Sequence, residues 1–194
     1  MRILCFGDSN TYGYDPRDGS DGRYPAEARW VDLLAQQTGW MVRNRGENGR
    51  TIPCHPKLLA QTERMLQANR STDLVIVMLG TNDLLQGADA LETAARMERF
   101  LTHILPHCQK LLLVAPPPMY PGQWVTEERL MVSSAQLGPV YEEISTRLGI
   151  PFADAAAWNI EMAYDGVHFS ESGNQAFASA LARCLQQFSF PELG

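Results

Sequence analysis

Short apolar runs and longer mixed segments alternate along this chain, and glycine-bearing polar stretches separate them. Ile3 to Gly7, Asp73 to Leu79 and Lys110 to Ala115 are continuous apolar runs of strand length. None alternates between apolar and polar, so both faces of each strand must be covered, as in the middle of a parallel sheet. Met41 to Asn44 and Ile150 to Ala153 read as two further short strands. Between them the apolar positions fall at helical spacing. This predicts helices over Glu27–Thr38, Lys57–Ala68, Asp89–Leu105 and Glu127–Leu148, the last broken near Gly138-Pro139. Ser170 reads as the N-cap of a final helix ending near Phe188.

Strands that alternate with helices imply a parallel sheet with helices on both faces. The predicted fold class is therefore α/β: three α/β/α layers around a five-stranded sheet in flavodoxin-like order, forming one domain over residues 1–194. In such a sheet every turn at a strand's carboxyl end lies on the same rim. Asp8-Ser9-Asn10-Thr11 follows the first strand, and Arg45 to Thr51 the second. Gly80-Thr81-Asn82-Asp83 follows the third, and Asp165-Gly166-Val167-His168 lies beyond the fifth. The stretch from Pro116 through Trp124 sits above the strand ends as a wall of the pocket or an ordinary surface connection. Residues 14–25 read as a surface loop.

Those turns bring together the residue types that acyl transfer needs. Serine requires a base to take its proton, an acid to orient that base, and donors aimed at the developing oxyanion. Ser9 can be that serine, His168 the base and Asp165 the acid. The N–H groups of Ser9 and Gly49 and the amide of Asn82 can serve as donors. Gly46 shares the loop with Gly49, and either could approach a ligand closely. Turn chemistry alone would also explain Asp8 to Thr11. His103 and His107 are four apart, but Pro106 interrupts their helix and argues against a metal pair; His55 reads as a surface-loop residue.

Charge and composition narrow the partners. A net charge of −6 over 194 residues offers no basic face for nucleic acid. No run approaches the roughly 18 to 20 apolar residues of a membrane span. The four cysteines, Cys5, Cys54, Cys108 and Cys184, are widely spaced and read as free thiols. No leader-like segment precedes the first strand, which predicts a cytoplasmic protein. Homo-oligomerisation stays open.

Taken as a set, the turns resemble the blocks of GDSL-type esterases of the SGNH hydrolase superfamily. Phe6-Gly7-Asp8-Ser9 resembles the first block, Asn44 to Thr51 the second, Gly80-Thr81-Asn82-Asp83 the third, and Asp165 with His168 the last. The resemblance implies a Ser9–His168–Asp165 triad and an oxyanion hole from Ser9, Gly49 and Asn82. Asp83 would hold its own turn. Arg2 to Ser9, Arg29-Trp30, Leu34 to Gln37, Asp73 to Asp83, Pro116 to Pro118 and Asp165 to Phe169 are similar to the bacterial arylesterase and acyltransferase branch. That branch implies short-chain, often acetyl or aryl, small-molecule esters, with some transfer of the acyl group to alcohols, and no cofactor. Asn10 departs from the family's leucine and is expected to carry none of the chemistry. The alternatives are a lipase- or thioesterase-type acyl hydrolase, a catalytically silent relative, and a flavodoxin-like binding protein. The last leaves Asp165 and His168 without work.

Overall fold

The computed structural model describes residues 1–18 and 22–188. Its five strands are β1 (Arg2–Gly7), β2 (Met41–Gly46), β3 (Leu74–Met78), β4 (Leu111–Ala115) and β5 (Phe152–Asp154). They lie in the order β2-β1-β3-β4-β5, and every pairing is parallel. The helices are α1 (Ser9–Tyr12), α2 (Trp30–Thr38), α3 (Pro56–Ala68), α4 (Thr81–Leu85), α5 (Ala90–Ile104), α6 (Glu128–Ala135), α7 (Leu137–Leu148) and α8 (Glu171–Gln187).

Burial follows the pleat. On one face Ile3, Cys5, Ile76, Met78, Leu112 and Val114 pack under α2 and α8, through Trp30, Leu34, Phe177 and Leu181. On the other, Leu4, Phe6, Val75, Val77, Leu111 and Leu113 meet Met97, Phe100, Leu101, Tyr141 and Ile144 from α5 and α7. Two apolar layers therefore sandwich the central strands, which is why those strands show no alternation in sequence. Strand β2 forms one edge, and its residues alternate between exposed and half-buried.

Several element boundaries differ from expectation. The Glu27–Thr38 segment is a 3-10 turn at Ala26–Ala28 followed by α2, because Arg29 adopts an extended conformation between them. The long Glu127–Leu148 segment breaks at Gln136 rather than at Gly138-Pro139. Pro139 lies in the first turn of α7, where its missing N–H would have had no intrahelical partner. The loop before α2 is not all surface, since Tyr24 is buried and donates through its hydroxyl to the Phe169 carbonyl.

The chain passes from β1 outward to β2, then returns across to β3 on β1's other side. This reversal opens a crevice at the carboxyl ends of β1 and β3. The turns carrying Ser9 and Asn82 leave those two strands.

Candidate active site

Strand β1 stops at Gly7, and Asp8 caps the next turn by accepting the Asn10 N–H at 3.0 Å. The polar run read as a turn is thus the start of a helical one, with Ser9 its first residue. Capping fixes the backbone and turns the serine toward the crevice. Ser9 is buried, as are His168 and Asp165.

Residues 165–168 fold around one carboxylate. Asp165 Oδ1 accepts the N–H groups of Val167 and His168, each at 2.9 Å. Its Oδ2 lies 2.6 Å from His168 Nδ1, and Nε2 of the same ring lies 2.9 Å from Ser9 Oγ. An ionised carboxylate can only accept, so the proton of a neutral imidazole sits on Nδ1 and Nε2 is free to accept from the serine. Burial pushes the Asp165 carboxyl up, but the bonds from the His168 ring and the two N–H groups outweigh it and hold the carboxyl below its ordinary value. The acid stays charged under an imidazole that would gain a proton.

The groups expected as donors share one cleft with the serine. Gly49, Asn82 and Ser9 line one cleft of about 230 Å³ together with Tyr14, Asn48, Leu85, Trp124 and His168. Among the described residues, the N–H groups of Ser9 and Gly49 meet no protein acceptor. Asn82 Nδ2 donates to the Arg50 carbonyl at 3.0 Å, which orients the amide. The two glycines of the loop are now distinguishable. Gly46 is the last residue of β2, and a Cβ there would meet the Tyr12 nitrogen at 2.1 Å. Gly49 has a φ of +73°, and a Cβ there would meet nothing within 4 Å. Gly46 is glycine because α1 crosses it; Gly49 is glycine because the loop turns left-handed at the cleft's edge.

Arg50 holds that loop together. Its guanidinium donates to the carbonyls of Gly7 and Arg45 and to Glu47, and stacks 4.3 Å from the Phe6 ring. Fully buried Asp83 accepts from the Ile52 N–H and from Arg96 at 3.0 Å each, tying the loop to α4 and α5. Burial raises the Asp83 carboxyl above its ordinary value, against the pull of both donors. Asp8, also buried, is pushed up to about 6 by desolvation, with the Asn10 N–H, His168 and Arg50 opposing.

Three further residues lie close to the Ser9–His168 pair. Tyr14 lies with its ring 4.6 Å from the imidazole, in a loop whose polarity gave no sign of it. Trp124 meets the same ring edge-on at 5.1 Å, so the Pro116–Trp124 stretch does supply a pocket wall. Asn10 is the third, and its packing departs from what the family's leucine could offer. Its amide donates to the Val167 carbonyl at 3.0 Å and accepts the Phe169 N–H at 2.9 Å, one residue on either side of His168. A leucine's place in a motif gave no cue to this, because the partners lie 157 and 159 positions away.

The remaining histidines stand apart. His55 caps α3 by accepting the Lys57 N–H at 3.3 Å. His103 and His107 both face Glu63, at 3.8 and 3.6 Å. Among the described residues no group of three or more His, Cys, Asp or Glu side chains is arranged to hold a metal ion. None of the described helices is long and apolar enough to cross a membrane.

Residues 5–176 match the family model described as GDSL-like Lipase/Acylhydrolase family. Among solved structures, the aryl esterase of M. smegmatis is 30% identical, covers 96% of this chain and 98% of its own, and superposes with a TM-score of 0.85. A candidate arylesterase from Agrobacterium tumefaciens is 33% identical over 96% of this chain and 99% of its own, with a TM-score of 0.83. Est24, a carbohydrate acetylesterase from Sinorhizobium meliloti, is 26% identical over 96% and 99%, with a TM-score of 0.84. No curated protein matches the chain by sequence.

Proposed function

Because the chain belongs to the GDSL-like lipase/acylhydrolase family and is a carboxylic ester hydrolase, we propose that it cleaves short-chain acyl esters through an acyl enzyme on Ser9. The observation that carries this reading is the unbroken hydrogen-bond relay from Ser9 Oγ through His168 to Asp165, at 2.9 and 2.6 Å.

The steps derive from the geometry. Ser9 Oγ attacks the ester carbonyl carbon while His168 Nε2 takes its proton. The imidazolium so formed lies against the charged Asp165. The carbonyl oxygen becomes an oxyanion and meets the N–H groups of Ser9 and Gly49 and the free hydrogen of the Asn82 amide. Collapse breaks the ester C–O bond, and Nε2–H protonates the departing alcohol. A water then gives its proton to Nε2 and attacks the acyl carbon, and Ser9 leaves with that proton. An alcohol in place of the water would give acyl transfer by the same route. We assign the whole cycle to one domain, since both apolar layers wrap a single sheet.

Cleft size supports a small acyl group. At about 230 Å³ the space falls below the roughly 300 to 1,000 Å³ of drug-sized ligand pockets. Trp124 is about half exposed and Tyr14 lines the same cleft, so an aryl or sugar ring on the alcohol side would meet aromatic surface. Acetyl esters of phenols or sugars fit both features. The test is a series of para-nitrophenyl esters of increasing acyl length, with Ser9→Ala protein as the blank. We expect kcat/KM to be highest for acetate and to fall with chain length. A long-chain optimum, or full turnover by Ser9→Ala protein, would overturn the reading.

A further inference from the structure

We propose that Asn10 is a positioning residue that sets the His168 imidazole against Ser9, by a side-chain clamp that the family's leucine cannot make. The inference rests on the triad reading. It concerns the buried amide whose two hydrogen bonds bracket the proposed base.

The geometry is that of a parallel strand made from one side chain. In a parallel ladder, a residue donates to the carbonyl before its opposite number and accepts the N–H of the residue after it. Asn10 does this with its carboxamide: Nδ2 donates to the carbonyl of Val167, and Oδ1 accepts the N–H of Phe169. His168 lies between the two bonded groups. Its backbone can neither slide along the chain nor rotate without breaking one of them. The partners also fix the amide's orientation, since a flip would set two donors and two acceptors face to face.

Asn10 is itself immobilised. Its N–H is held by the Asp8 cap at 3.0 Å, and its carbonyl accepts from Trp30 Nε1 at 2.8 Å. Trp30 is buried on α2 against Phe177 of α8, with ring centroids 4.8 Å apart. Ser9 is the preceding residue in the same capped turn. The nucleophile and the clamp on its base therefore share one rigid turn, so any movement of the turn carries both. His168 receives further support on its other side, where its own carbonyl accepts the Ala163 N–H at 2.7 Å.

A leucine at this position would fill the volume and leave the Val167 carbonyl and Phe169 N–H without these partners. The loop would be free to relax, and displacement of a reacting group by about 1 Å can lower a rate about a hundred-fold. A role limited to stability would lower the melting temperature and leave turnover by the folded fraction unchanged.

The test compares wild type, Asn10→Leu and Ser9→Ala proteins, with Asn10→Ser used if Asn10→Leu does not fold. Serine is too short to span both partners. Turnover of para-nitrophenyl acetate is measured below the melting transition of each protein. Proton NMR follows the low-field resonance of the His168 Nδ1–H bonded to Asp165. We expect kcat of the Asn10 variant to fall about 10- to 100-fold with KM unchanged. The low-field proton should shift or broaden in that variant but persist in Ser9→Ala protein. Wild-type kcat and an unchanged low-field resonance in a folded Asn10 variant would overturn the clamp while leaving the triad reading intact. Full activity in Ser9→Ala protein would instead remove the triad reading itself.

Discussion

Replacing Asp165 with asparagine isolates one consequence of the site's geometry. The new amide has two orientations. With its oxygen in the place of Oδ1, it keeps the N–H bonds from Val167 and His168, both 2.9 Å in the native protein. Flipped, it sets its NH₂ against those two N–H groups and leaves them unpaired, at about 1 to 3 kcal/mol each. The first orientation therefore wins, and it presents NH₂ to His168 Nδ1. A donor there forces the imidazole proton onto Nε2. That nitrogen then donates to Ser9 Oγ instead of accepting from it, and the serine has no base. A triad locked in the wrong tautomer loses about 10⁴-fold in kcat. At about 1.36 kcal/mol per decade this is about 5 kcal/mol of barrier. Stopped-flow measurement of the acylation burst with para-nitrophenyl acetate reads the loss directly, and a thermal melt shows that the variant is folded. A decline of less than about ten-fold, against the 10⁴ expected, would refute the reasoning, because the tautomer would then not be set by residue 165.

Three further outcomes rest on the same contacts. Asn82→Ala removes the proposed oxyanion donor, whose amide the Arg50 carbonyl orients, and kcat for an aryl acetate should fall about 10²- to 10³-fold. Asp8→Asn keeps an oxygen for the Asn10 N–H but removes a buried carboxyl pushed up from 3.8 to about 6. Such a raised group favours the fold below its unfolded value, and that contribution is lost as pH rises through its folded one. The variant should therefore gain on wild type by about 2 kcal/mol between pH 4 and 6 in urea titrations; a constant difference across that window would contradict it. Arg96→Ala leaves the fully buried Asp83 without its cation. Breaking a buried pair costs about 3 to 5 kcal/mol, and because Arg96 is a third exposed, about 2 kcal/mol is expected in the same titration.

What could be read from sequence divides along physical lines. Strands β1, β3 and β4 were legible because burial on both faces leaves an uninterrupted apolar run. Ser9, Gly49, Asn82, Asp165 and His168 could be gathered in advance, since parallel topology sends every strand's carboxyl end to one rim. The structure brings four of them to a single cleft, and the fifth, Asp165, is bonded to His168 behind it. Helix breaks were less legible. Gly138-Pro139 looked like an interruption, yet proline is tolerated in a first turn, and the break fell at Gln136 instead. Contacts distant in sequence were the least visible. Tyr14 and Arg50 reach the site from loops whose composition shows only that they are loops, whereas Trp124 lies in a stretch whose place above the strand ends already offered a pocket wall. Asn10 has a short polar side chain suited to turns, and its partners at 167 and 169 leave no trace in the local pattern.

In the proposed cycle a single hydroxyl, that of Ser9, accepts the acyl group. Wild-type protein mixed with para-nitrophenyl acetate and acid-quenched during the burst should carry the mass of a single acetyl group, and peptide mapping should place it on the segment containing Ser9. Ser9→Ala protein treated in the same way should carry none. Acetylation at another residue, or product release with Ser9 never modified, would contradict the account.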